Sequence, residues 1–167
     1  MLNNAPRQNT KYKQGLFIPK NIDKLLKANN AGGLYYRSGL EHKFMIYLDQ
    51  NSNIIRWNSE LIKIPYVKNV WDAKLTEMVK SDHHYYPDFY YELKRPDGSI
   101  SRVVAEVKPL SDTMEPKLTS NPTSKQLTNF EYSLKMYSAN LDKWKTCIEY
   151  CRMKGFEFII ITEQNLK

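Results

Sequence analysis

The sequence is poor in the features that would fix it by covalent or metal links. Among 167 residues there are only two cysteines, Cys147 and Cys151, four apart in a helix-like stretch. That spacing suits one helical face and not a disulfide framework or a metal knuckle, so we expect reduced core thiols and a cytosolic setting. The three histidines, His42, His83 and His84, have no cysteine at ligand spacing, which argues against zinc. No window approaches the ~18–20 apolar residues of a membrane span; the longest apolar run, Phe158 to Ile161, reads as a buried strand. The opening residues, Met1 to Arg7, lack the apolar core of a signal peptide. There is no G-x-x-x-x-G-K-[ST] loop, hence no expected nucleotide cofactor. There is also no nucleophile elbow.

What is present is positive charge and tyrosine. Lys and Arg number 25 against 18 Asp and Glu, a formal charge of +7, with twelve Tyr. A basic surface on a domain-sized chain points to a polyanion, nucleic acid first. The length fits one domain. Residues 1–34 read as a polar, basic N-terminal arm and 35–167 as a single folded domain. In the arm, Lys11 and Lys13 flank Tyr12 ahead of Phe17. That pattern suits contact with a phosphate backbone, with tyrosine stacking, or an arm packed on the domain.

The periodicity predicts a helix over 36–50, capped by Ser38 with Glu41 three residues on, and a stripe of Leu40, Phe44, Tyr47 and Leu48. Strands are expected at 54–57 and 61–66, then a loop over 67–82. Strands at 85–93 and 100–107 follow, joined by the turn Arg95-Pro96-Asp97-Gly98. Residues 109–124, with three prolines, read as a long loop. Leu127, Phe130, Leu134, Tyr137, Leu141, Trp144, Ile148 and Cys151 then recur at 3-4 spacing, as a helix face packed on a sheet, with Asn140 capping a second segment. Gly155 ends the helix before a last strand. The order implies an α/β (α+β) fold, a mixed β-sheet flanked by helices.

Within the hairpin, Glu106 and Lys108 are two apart and share one face, while Val103, Ala105 and Val107 share the other. Asp88, after Pro87, stands on the adjacent strand. Carboxylates of this kind hold Mg²⁺ or Mn²⁺, and a neighbouring lysine positions a nucleophile and offsets developing charge, the set that phosphodiester hydrolysis requires. Glu41 is placed to add a ligand from the helix. Glu-x-Lys alone selects nothing, since it occurs four times, starting at Glu41, Glu92, Glu106 and Glu115; exposed charges on a sheet face are the alternative. Arg37 suits a phosphate clamp or a salt bridge at the helix start. His84 suits a DNA contact or a structural role. Tyr132 and Lys135 suit a DNA-facing or a solvated helix face, and Trp71 a stacking platform or core.

Pro87-Asp88 followed by Glu106-Val107-Lys108 resembles the PD-(D/E)xK motif of restriction-endonuclease-like nucleases. Tyr36 to Glu41, His84 to Phe89, and Asn140 to Trp144 with Tyr150-Cys151 and Gly155 to Glu163 resemble the endonuclease subunits of heteromeric transposases. Tyr12-Lys13-Gln14-Gly15 with Pro19-Lys20-Asn21 is similar to the head completion nucleases of tailed phages, which lack the transposase subunits' extra C-terminal domain. The resemblance implies a restriction-endonuclease-like core. It makes Glu41, Asp88 and Glu106 metal ligands and catalytic groups, and Lys108 the catalytic lysine. It further implies double-stranded DNA as substrate, portal or head–neck proteins as partners, and a place in the host cytoplasm during phage assembly, with retention in the virion left open. Some transposase subunits carry Gln where this chain has Glu106.

Overall fold

The computed structural model describes residues 13–29, 32–72 and 76–166. Its centre is a sheet built from β3 (Ile54–Ser59), β6 (Phe89–Lys94), β7 (Ile100–Val107) and β8 (Glu157–Ile161), in the order β3-β6-β7-β8. The first two pairings are antiparallel and the last is parallel. The parallel step needs a crossover, supplied by helix α2 (Ser124–Lys154). Helix α1 (Gly39–Gln50) covers one face and α2 the other, which is the expected mixed sheet flanked by helices.

Alternation along β7 sorts its side chains. Val103, Ala105 and Val107 join Phe44, Met45, Leu48, Trp57 and Phe89 in the larger core. Val104 joins Tyr85, Tyr90, Cys147 and Cys151 in the smaller one. Phe44 and Phe89 meet edge to face, with centroids 5.1 Å apart. Both cysteines are free and buried, as expected.

Helix α1 starts three residues later than predicted, because Tyr36 ends β2 (Leu34–Tyr36), which pairs with β1 (Gly15–Phe17). Ser38 caps the helix, its Oγ accepting from Glu41 N at 3.1 Å. Tyr47 is exposed, so the buried stripe is Phe44, Met45 and Leu48. The segment after β1 is tied down by Asp49, 1% exposed, whose carboxylate accepts from Lys20 N and Asn21 N, both at 3.0 Å.

Three further expectations are corrected. Residues 67–82 are not a loop: β4 (Ile64–Asp72) and β5 (Glu77–Tyr85) form a two-stranded ribbon paired from Ile64↔Tyr85 to Asp72↔Glu77. The ribbon buries Ile64 and Tyr85 at its base but leaves Val67 and Lys80 exposed further out, so its sequence shows no clear apolar alternation. Trp71 lies in its β4 backbone, not in a loop. The predicted strand 85–93 is two strands. Pro87, buried and without an N–H to donate, sits where the chain leaves the ribbon and enters the central sheet. The hairpin between β6 and β7 is as expected, with Gly98 at φ +84 in the turn and its N–H bonded to Arg95 O at 2.9 Å.

Helix α2 runs unbroken through Asn140, since nothing from 124 to 154 is a proline or glycine. It is capped by Thr123 and Gln126 and ended by Gly155 at φ +66. Only its C-terminal half is a core face: Asn140, Trp144, Cys147 and Cys151 are buried, whereas Leu127, Leu134 and Ile148 are exposed. A 31-residue helix is about 46 Å long at 1.5 Å per residue. The five-residue β8 spans about 17 Å. The helix outruns the sheet it crosses.

Candidate active site

The smaller core gives way to charge at the end of β7. Val104 is wholly buried; two residues on, Glu106 is 3% exposed. Lys108 lies just past the strand, where its N–H bonds Ile161 O at 2.9 Å and extends the pairing with β8. The Lys108 ammonium sits 3.2 Å from Glu106 Oε1. The predicted common face is therefore made.

Asp88, the residue just ahead of β6, comes to the same place. The register Phe89↔Ala105 sets Asp88 opposite Glu106. Its Oδ2 accepts from Val107 N at 2.8 Å, an amide left over where the β6–β7 ladder stops. Burial, then Glu106, then Glu41 push the Asp88 carboxyl well above the usual carboxylate range, against the opposing pull of Lys108 and the Val107 amide. Burial works against the Lys108 ammonium, but Glu106 and Asp88 outweigh it and the net shift is upward.

Glu41 approaches from the first turn of α1. It does not complete a capping box; its Oε2 accepts from Arg37 N at 2.9 Å. Burial raises its pKa, with the Arg37 amide, Ser38, Arg37 and Lys108 opposing. Among the described residues, no three His, Cys, Asp or Glu side chains form a complete metal cage. The donors are nevertheless all carboxylate oxygens, gathered with one ammonium, Lys108, beside them. Such a pair fits Mg²⁺, which is commonly held by one or two carboxylates with waters and substrate phosphate completing its shell.

The candidate DNA contacts are scattered. Arg37 is engaged by Glu60, Nη1 to Oε1 at 2.6 Å and Nη2 to Oε2 at 3.3 Å, so the salt bridge is the reading realised. Lys13 is exposed just before β1, and Lys11 lies outside the described residues. His84 is exposed on β5, opposite Pro65. Lys135 and Tyr132, adjacent in the sequence reading, line different grooves: Lys135 the one beside β4, Tyr132 the one beside Lys108.

Two residues escaped the sequence reading. Tyr85 Oη donates to Glu106 Oε2 at 2.5 Å. Burial and the Glu106 carboxylate hold its hydroxyl far above the usual tyrosine range, so it remains a donor. Its place three residues before Asp88 was the available signal. Glu60, at φ +50, bonds Asp88 O through its N–H at 3.0 Å while pairing with Arg37. It thereby joins the backbone of Asp88 to the residue that holds Glu41. No sequence pattern marks it.

A family model described as TnsA-like endonuclease N terminal matches residues 51–163, most of the chain and all of the central sheet. The chain belongs to the TnsA-like endonuclease family. Its sheet and flanking helices are accordingly the restriction-endonuclease-like core of that family. A curated relative, the head completion nuclease of Enterobacteria phage T4, is 31% identical over 153 residues, covering 92% of this chain and 93% of the relative. In this TnsA-like chain Asp88, Glu106 and Lys108 lie inside the matched segment, and Glu41 lies ahead of it.

Proposed function

We propose that this chain is a metal-dependent DNA endonuclease that trims packaged DNA during phage head completion, so that a head accepts its neck and tail. The observation that carries the reading is the meeting of Asp88, Glu106 and Lys108 where β6 begins and β7 ends, in a member of an endonuclease family. Similarity to a head completion nuclease over nearly the full length of both chains supports the phage role over a transposon-end role. The partners we assign are double-stranded DNA and the portal or neck proteins at the packaging vertex.

Asp88 and Glu106 would hold Mg²⁺ or Mn²⁺, with Glu41 assisting from α1. When bound there, such an ion would polarise the phosphate and lower the pKa of a water. Lys108, kept protonated by Glu106 and Asp88, orients the attacking water and offsets charge on the phosphorane-like transition state. Tyr85 fixes one oxygen of Glu106 and leaves the other toward Lys108.

The test is incubation of pure protein with circular and linear plasmid DNA, in Mg²⁺ or in EDTA, beside Lys108→Ala. Loss of the circle in Mg²⁺ alone, absent in the variant, is the expected result. DNA binding without cleavage in every condition would overturn the reading in favour of a non-catalytic connector.

A further inference from the structure

A groove of about 740 Å³ opens beside Lys108, between the stretch after β7 and the middle of α2. It is within the size range of small-molecule sites. Its lining is unlike that of a phosphate channel. Lys108 is the single cation there, and Asp112 and Glu115 contribute two carboxylates. A phosphate would meet net negative charge. The rest of the lining is uncharged and includes two rings, Tyr132 and Tyr137 from α2, and two amides, Asn129 and Asn140.

Asn140 is the decisive member. Its residue is 9% exposed, it lines the groove, and among the described residues its side-chain amide has no hydrogen-bond partner. Its amide atoms are not sealed off within the fold but open onto the groove, where they are free to bond a ligand. An amide carries both donors and an acceptor, which is the complement of the edge of a nucleobase. Tyrosine rings offer faces on which bases stack irrespective of sequence.

We infer that this groove is a nucleobase subsite that takes an unpaired base of the substrate strand next to the scissile phosphate. The inference rests on the nuclease reading for the identity of the strand. A base inside a duplex does not present its Watson–Crick edge, so the subsite selects frayed, overhanging or locally opened DNA. Asn140 bonds the base edge and Tyr132 covers its face, while Asp112 and Glu115 keep the backbone out and toward Lys108.

The probe is 2-aminopurine in DNA, read by fluorescence in EDTA so that no cleavage occurs. One set of duplexes carries it in a single-stranded overhang of either polarity, the other carries it paired in the interior. We expect quenching of an overhang probe on binding and no change for the interior probe. Asn140→Leu and Tyr132→Ala should each weaken overhang binding at least fivefold and leave interior-probe duplexes bound as before. Because the Asn140 amide has no partner in the fold, Asn140→Leu should not lower Tm; a fall of many degrees would assign Asn140 a structural role and overturn the inference. Equal response of both probes, or wild-type overhang binding by both variants, would also overturn it. Plasmid cleavage separates the two claims. Quenching without Mg²⁺-dependent cleavage defeats the nuclease reading alone, and cleavage without quenching defeats the subsite alone.

Discussion

The two faces of β7 do different work from one eight-residue strand. On one, Val103, Ala105 and Val107 lie against α1 in the larger core. On the other, Val104 begins as core and the series runs on into Glu106 and Lys108. A period of two residues lets stability and chemistry alternate without sharing a side chain. The apolar face gains by burial, whereas the polar face gathers like charges whose pKa shifts record a cost. The fold should therefore fail when the first face is altered, and the activity when the second is.

The largest effect belongs to the apolar face. Ala105 is wholly buried between β6 and β8. Ala105→Glu places an unpaired charge there, and we expect loss of several kcal/mol and of cooperative unfolding by circular dichroism. A cooperative melt near that of the wild type would break the comparison. Next is the polar face. Lys108→Ala should reduce the cleavage rate by roughly 10³-fold, about 4 kcal/mol in the barrier. Its Tm should stay within a few degrees, since the Lys108 side chain is half-buried at the rim. A single-turnover rate within tenfold of the wild type would remove Lys108 from the mechanism.

A smaller loss probes the packing behind α1. Asp49 holds Lys20 N and Asn21 N with its carboxylate and lies on neither face of β7. Asp49→Ala leaves two amides without their charged acceptor, at about 2–3 kcal/mol. Urea unfolding should show that loss, while hydrogen exchange locates it in residues 20–26. An unchanged midpoint would mean that the segment before β2 is held by other contacts.

What could be seen in advance followed the same division. Val103 to Val107 announced their alternation because one face is uniformly apolar, and Pro87-Asp88 and Glu106-x-Lys108 stood out because the strand between them was legible. The ribbon of β4 and β5 was not legible, because positions such as Val67 and Lys80 are exposed and its sequence carries no apolar period. The break at Pro87 was read through as continuous strand, since aromatic residues flank it on both sides. The 3-4 stripe of α2 was real as a helix signal but overstated the core, because periodicity cannot report how far a sheet extends beneath a helix. Tyr85 and Glu60 reached the site through tertiary placement. The first depends on where the ribbon starts, and the second on a left-handed residue that no propensity marks.

The smallest expected change concerns Asp88 before any ion is bound, and its sign distinguishes the faces most cleanly. Burial and the neighbouring Glu106 and Glu41 raise the Asp88 pKa in the folded chain. The native state therefore binds this proton more tightly than the unfolded state does. Its contribution is fully present at pH below the ordinary carboxylate value near 4, and is lost as pH rises through the elevated folded value. Asp88→Asn keeps an oxygen able to accept from Val107 N but cannot ionise. In EDTA at pH 8 the variant should be more stable than the wild type, with the difference vanishing toward pH 4. Saturating Mg²⁺ should reverse the order, since an ion at 100 times its Kd adds about 2.7 kcal/mol to the wild type alone. Thermal melts at both pH values, with and without Mg²⁺, measure this. If the variant is less stable than the wild type in EDTA at pH 8, the carboxylate is a structural acceptor, and the division between the two faces of β7 fails at the residue where it matters most.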